Sequence, residues 1–117
     1  MSVKLTTRQI EDVSVLDVEG RITLGEGSAA VRDAVRELIN GDHKKILLNL
    51  AEVSYIDSSG LGELVAAYTT VTNRGGELKL LNLTKRAKDL LLITKLHTIF
   101  DVYDDEAHAA RSFAAAV

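Results

Sequence analysis

Short apolar segments with two different periodicities alternate along this chain, and that alternation restricts the fold more than any other feature. The segment at residues 46–50 (Ile-Leu-Leu-Asn-Leu) is apolar on both faces, as in a strand covered on both sides at the centre of a parallel sheet. Helical spacing relates the apolar residues on either side of it, namely Val31, Val35, Leu38 and Ile39 before it and Leu61, Leu64, Val65, Tyr68 and Val71 after it. The pattern predicts an α/β fold with a mixed, mostly parallel sheet of four to five strands and about four helices.

Turn and capping residues set the expected boundaries of these elements. Strands are expected at residues 3–9, 13–19, 45–50, 78–81 and 99–103. Helices are expected between the later strands, one capped by Thr84 and a last one over residues 106–115 capped by Asp104 or Asp105. Because no proline, repeat or charge block divides the chain, we expect a single domain over residues 1–117.

Composition narrows the class of protein. Seventeen acidic and 14 basic residues give a formal charge of −3, which argues against a nucleic-acid binder. The absence of cysteine excludes disulfides, thiol catalysis and zinc–thiolate sites. No apolar run approaches the length of about 18 residues that a membrane span needs. We therefore expect a cytoplasmic protein that does not insert into a membrane.

The segment at residues 54–62 is the strongest candidate for a functional site. It joins a buried strand to the most amphipathic helix, and such loops of α/β sheets commonly contact ligands and partners. Asp57, Ser58 and Ser59 can accept hydrogen bonds from the first turn of that helix. One cap needs only one such side chain, so a hydroxyl is left over. Gly60 and Gly62 indicate backbone that is open to a partner.

Catalytic sites are poorly supported by the sequence. A nucleophile elbow needs glycine two residues before its serine, but Ile56 and Asp57 occupy those positions for Ser58 and Ser59. The Gly60-Leu61-Gly62 step lacks the lysine and spacing of a phosphate-binding loop. An acidic cluster at residues 104–106 is typical of a helix start. We expect no catalytic residues, no metal site and no cofactor.

The same loop carries a family resemblance. Residues 55–62 (Tyr-Ile-Asp-Ser-Ser-Gly-Leu-Gly) resemble the signature of STAS domains, the fold of bacterial anti-sigma factor antagonists. The similarity extends to the strand at residues 46–50, to residues 73–78 (Asn-Arg-Gly-Gly-Glu-Leu), and to Lys95-Leu96 and Ile99-Phe100. It therefore covers essentially the whole chain.

The resemblance implies a switch that acts through protein–protein contact. Members similar to this chain bind an anti-sigma factor that is also a serine kinase, and so release a sigma factor for transcription. By position in the motif, Ser58 is the residue that the kinase phosphorylates and a serine phosphatase restores. Asp57, Ser59 and Gly60 belong to the same partner-binding loop. The resemblance implies a monomer or weak dimer without catalytic residues.

One stretch departs from the family pattern. Many phosphorylated members carry acidic residues just after the second strand, where this chain has Gly20-Arg21-Ile22-Thr23. If this stretch contacts the partner, Arg21 reverses a charge and Thr23 removes one. A different kinase contact or a different class of partner would follow, unless Arg21 is simply a solvated turn residue.

Two other functions remain open at the level of sequence. The chain could be a STAS accessory or scaffold subunit of another assembly, such as a lipid-transport ATPase complex or a stress-sensing complex. Alternatively, the loops at residues 25–27 and 58–60 could form a small-ligand sensor, which nucleotides would stabilise by mass action. A serine hydrolase is the weakest alternative.

Overall fold

A computed structural model describes residues 3–113, which form five strands and four helices. The elements are, in chain order, β1 (Val3–Ile10), β2 (Val13–Ile22), α1 (Glu26–Asn40), β3 (Lys45–Ile56), α2 (Ser58–Asn73), β4 (Glu77–Leu81), α3 (Lys85–Thr94), β5 (Val102–Tyr103) and α4 (Glu106–Ser112). A 3-10 turn at Leu96–Thr98 links α3 to β5.

The strands form one sheet in the order β1-β2-β3-β4-β5. β1 pairs with β2 in an antiparallel hairpin, and the three later pairings are all parallel. This mixed, mostly parallel sheet with four helices confirms the α/β fold predicted from the sequence. β3 lies at its centre, in agreement with the apolar character of both its faces.

Each face of the sheet has its own apolar cluster. Leu16 and Val18 point into the larger cluster, which α1, α2 and α3 cover. Val13 and Val15 point the other way, into a smaller cluster under Ala109 of α4. The alternation along β2 therefore separates the two faces as its sequence predicts.

β3 is longer than its sequence predicts. A strand over residues 45–50 was expected, with a loop from residue 54, but β3 continues to Ile56. The reason is its neighbour, because β2 runs to Ile22 and pairs with the end of β3 through register shifts after Asp17 and Gly20. The extension places Tyr55 on a strand next to Arg21 rather than in a loop.

The last strand is shorter than its sequence predicts, whereas the start and the cap of the last helix are confirmed. β5 is a two-residue strand, shorter than the five residues expected. Asp105 caps α4 through a 2.8 Å hydrogen bond from the His108 amide, and the helix ends at Ser112. The predicted continuation to residue 115 lies partly outside the described residues.

Polar contacts fasten α4 to the sheet. The Arg8 guanidinium of β1 donates to Glu106 Oε1 of α4 at 2.7 Å and to Asp17 Oδ1 of β2 at 2.9 Å. At the other end of α4, the buried Lys79 ammonium of β4 donates to the Ser112 carbonyl and hydroxyl oxygens, both at 3.0 Å. The small helix is thus held at both ends by charged hydrogen bonds.

Candidate functional site

Asp57 connects the two loops at the carboxyl ends of β2 and β3. Its backbone is extended, and its Oδ1 accepts the Gly60 amide hydrogen at 2.8 Å, which caps α2. Its Oδ2 accepts the Leu24 amide hydrogen at 3.2 Å from the turn between β2 and α1. One carboxylate therefore fixes both the start of α2 and the neighbouring turn.

These hydrogen bonds change the acidity of Asp57. The Gly60 amide is the main cause that holds the pKa of Asp57 below its ordinary value, and the Leu24 amide adds to it. Both amides favour the charged form of the carboxyl group. The loop therefore carries a fixed negative charge directly before Ser58.

Ser58 is the first residue of α2, and its side chain is exposed. No hydrogen bond to its hydroxyl is present within residues 3–113. Asp57 caps the helix through its own side chain, so the cap does not need the Ser58 hydroxyl. An exposed hydroxyl at a helix N-terminus is accessible to a modifying enzyme, and a phosphate there is favoured by the helix dipole.

Gly60 differs from the open backbone expected at this position. It is buried, and a Cβ added to it would lie 2.0 Å from the Ile22 carbonyl oxygen of β2. Its lack of a side chain lets α2 begin against the end of β2. Gly62 does face open space, as the sequence predicts.

Arg21 and Thr23 flank Ile22, the last residue of β2. Arg21 is exposed, and its guanidinium lies over the Tyr55 ring at 4.9 Å from the centroid. Thr23 is half-buried, and its carbonyl oxygen accepts hydrogen bonds from the Ser28 amide and hydroxyl at 3.0 and 2.9 Å. Arg21 is therefore next to the motif, whereas the Thr23 backbone holds the start of α1.

A cleft of about 510 Å³ opens beside Ser58, between the end of β3 and helix α3. Ser58, Asp57 and Tyr55 form one wall. The opposite wall belongs to α3 and its cap, with Thr84, Arg86, Asp89, Leu90 and Ile93. The cleft gives the motif a concave surface with both apolar and charged groups.

The sequence identified one wall of this cleft but not the other. Tyr55 belongs to the quoted motif, and Thr84 was identified as a helix cap, which its 3.2 Å hydrogen bond from the Ala87 amide confirms. Nothing in the sequence indicated that Arg86 or Ile93 faces the motif. One signal was present in the sequence, because the apolar Ile93 lies two residues after Leu91 and therefore on a different face of α3. In the structure Leu91 is buried and Ile93 is exposed.

The arrangement offers little for catalysis or metal binding. None of the three histidines lines the cleft that contains Ser58, and His108 stacks edge-on against Tyr103. Within residues 3–113, no group of three or more potential ligands is placed to hold a metal ion. The helices in that part of the chain are all too short or too polar to cross a membrane.

The fold and this motif define a STAS domain. The profile of the STAS domain family matches residues 4–109, and the chain belongs to that family. In this chain, the residues that resemble the family's signature form the end of β3, the Asp57 cap and the exposed start of α2 at Ser58.

Several proteins that this chain resembles over most of its length are named anti-sigma factor antagonists. The chain is 32% identical to the anti-sigma-B factor antagonist of Bacillus subtilis, over 87% of this chain and 92% of that one. It is also similar to the crystal structure of a candidate anti-sigma factor antagonist from Thermotoga maritima, with a TM-score of 0.81, 26% identity and 93% of each chain covered. Phosphorylated SpoIIAA of Bacillus shares the fold, with a TM-score of 0.71 and 17% identity over 92% of this chain and 98% of that one.

Proposed function

We propose that this protein is an anti-sigma factor antagonist whose binding is switched by reversible phosphorylation of Ser58. The observation that carries the proposal is the exposed Ser58 hydroxyl, which begins α2 without an intramolecular hydrogen bond in the described chain and lines the cleft. The names of its relatives, at 32% identity across most of the chain, support the antagonist function. In this proposal the protein works in the cytoplasm, as a monomer or weak dimer, and performs no catalysis itself.

The effect of a phosphate on Ser58 follows from its surroundings. A phosphate adds about 1.5 to 2 negative charges at neutral pH. At the first residue of α2 the helix dipole favours that charge, so the fold survives. Asp57 is already ionised beside it. A partner surface fitted to a neutral hydroxyl then meets a strong local anion, which weakens binding through repulsion and desolvation.

The proposed partner is an anti-sigma factor that is also a serine kinase, with a serine phosphatase restoring Ser58. Asp57, Ser59 and Gly60 of the loop, together with Arg21 and Thr23, are proposed to belong to the partner surface. Since Gly60 is buried, its contribution is to bring α2 against β2 rather than to contact the partner through exposed backbone.

Affinity capture from a lysate of the source organism tests this function. Immobilised wild type is expected to capture an ATPase of the histidine-kinase type, and Ser58→Asp is expected to lose it. Thr69→Asp is the matched control, because it adds the same charge at an exposed position of α2 outside the proposed partner surface, and it is expected to retain the ATPase. Thermal unfolding of each variant separates a loss of binding from a loss of folding.

Two results would contradict the proposal. Equal capture of the ATPase by wild type and Ser58→Asp would show that charge at position 58 does not control binding. Equal capture of a transporter or scaffold subunit, with no kinase, would identify an accessory STAS subunit, in which Ser58 does no more than begin a helix. Stabilisation by nucleotides in the absence of any protein partner would favour the small-ligand sensor.

A further inference from the structure

Tyr55 lies between two arginine side chains. Arg21 on β2 is paired with Tyr55 across the sheet, and its guanidinium lies 4.9 Å from the ring centroid. Arg86, in the first turn of α3, approaches the same ring at 5.7 Å. These three residues, which we name the Arg–Tyr–Arg cluster, join β2, β3 and α3 beside the cleft that contains Ser58.

The two arginines have no acidic partner in the described part of the chain. Neither Arg21 nor Arg86 forms an ion pair or a hydrogen bond through its side chain within residues 3–113, and both guanidinium groups lie against the Tyr55 ring. Two other arginines of that part of the chain, Arg8 and Arg32, do pair with carboxylates. Arg8, for example, binds two carboxylates.

The carboxylates of the cleft are already engaged. Asp57 accepts hydrogen bonds from the Gly60 and Leu24 amides, and Asp89 pairs with Lys85 at 3.2 Å. Three cations, Arg21, Arg86 and Lys85, therefore face two carboxylates, Asp57 and Asp89, which leaves this surface a net charge of +1, although the whole chain carries a net charge of −3. An occupant that complements the cluster has to be acidic.

Two exposed apolar side chains lie on the same side of the molecule, Ile93 in the cleft and Leu24 in the turn that Asp57 holds. Ile93 is 78% exposed on the far wall of the cleft, and Leu24 is 79% exposed in the turn after β2. Tyrosine and arginine are enriched among the residues that dominate the energy of protein–protein interfaces, and the exposed aliphatic groups add apolar area beside them. The surface thus fits a protein segment with both acidic and apolar side chains.

We propose that the Arg–Tyr–Arg cluster recognises an acidic segment of the anti-sigma factor. The segment's carboxylates bind the Arg21 and Arg86 guanidinium groups, and its apolar side chains pack on Tyr55 and Ile93. The inference rests on the proposed function and specifies the charge of the partner. It also accounts for the basic residue at position 21, since an acidic residue there would repel such a segment.

Phosphorylation of Ser58 acts on the same cluster. The phosphate enters a cleft that Arg86 also lines, so it competes with the partner's carboxylates for that cation as well as repelling them. Binding of the partner through the two arginines therefore depends more strongly on the charge at Ser58 than binding through a neutral surface would.

Charge reversal of the cluster tests the inference. Purified anti-sigma factors encoded by the source organism are titrated into wild type, Arg21→Glu, Arg86→Glu and the double variant by calorimetry. We expect each single change to weaken binding about tenfold and the double change about 100-fold. The affinity of wild type is expected to fall more steeply with salt concentration than the affinity of the double variant. Arg36→Glu, at an exposed position of α1, is the matched control and is expected to leave the affinity unchanged.

The outcomes separate this inference from the proposed function. Binding that the double variant retains in full overturns the inference while the antagonist function stands. If no anti-sigma factor binds wild type, the proposed function fails, and the cluster is tested with a synthetic peptide of alternating glutamate and leucine. That peptide is expected to shift the Tyr55 and Arg86 amide resonances of labelled protein, whereas a lysine–leucine peptide is not. Equal shifts with both peptides, or none, overturn the inference.

Discussion

At the scale of single residues, Asp57 holds the site together. Its two carboxylate oxygens accept amide hydrogens from two different loops, one from Gly60 and one from Leu24. This side chain, together with the pairing of β2 and β3 that ends at Ile22 and Ile56, fixes the position of Ser58 relative to the turn after β2. Asp57 is therefore a structural requirement of the proposed switch, in addition to the charge that it places beside Ser58.

Replacement of Asp57 by asparagine is expected to make stability less dependent on pH. The pKa of Asp57 is lowered in the folded state, so its stabilisation is complete above the unfolded value of about 3.9 and is lost as the pH falls through the folded value. Urea unfolding of both proteins between about pH 7 and pH 2.5 measures this. The stability advantage of wild type over Asp57→Asn is expected to shrink at the acidic end. An advantage that does not change with pH would contradict the assignment.

Two glycines of α2 provide a matched pair of substitutions. Gly60→Ala places a methyl group 2.0 Å from the Ile22 carbonyl oxygen, so we expect a loss of about 1–3 kcal/mol in the free energy of unfolding. Gly62→Ala meets nothing within 4 Å and is expected to stabilise the helix by roughly 0.5–1 kcal/mol. Urea denaturation distinguishes the two. Equal effects would show that the close approach of α2 to β2 is not needed.

At the scale of elements, the sequence predicts the features that depend only on residues close together in the chain. The opposite faces of Val15 and Leu16 and the Thr84 cap follow from local spacing, and the structure confirms them. The extension of β3 to Ile56 depends on pairing with β2, which is distant in the chain. The approach of Arg86 to Tyr55 depends on how α3 packs, which periodicity does not determine.

Helix α4 is expected to be the element most sensitive to a single buried charge. Lys79 binds the end of α4 through two hydrogen bonds of 3.0 Å, and such bonds to charged groups contribute about 1.5–3 kcal/mol. Lys79→Met is therefore expected to increase amide hydrogen exchange in Glu106–Ser112 while exchange in α2 stays slow.

Lys88→Met is the control for this prediction. Lys88 pairs with Asp104 at 3.5 Å, but both side chains are largely exposed, so the pair contributes little. Unchanged exchange in α4 after Lys79→Met, or the same change after both substitutions, would contradict the role assigned to Lys79.

At the scale of the whole molecule, the candidate functional groups lie together at one edge of the sheet. The carboxyl ends of β2 and β3 bring together the Asp57 cap, the Ser58 hydroxyl and the stacked Tyr55. The motif at residues 54–62 was sufficient to predict one half of this edge and its family. The other half, from α3, could not be predicted, because only the three-dimensional packing places it opposite the motif.

The central claim is that the charge state of Ser58 controls binding to an anti-sigma factor. Its most direct test is calorimetric titration of the purified anti-sigma factor kinase into unmodified protein and into protein phosphorylated at Ser58. Because the phosphate adds an anion at an interface fitted to a neutral hydroxyl, we expect the affinity to fall by about 10²- to 10³-fold. Equal affinities for the two forms would contradict the claim.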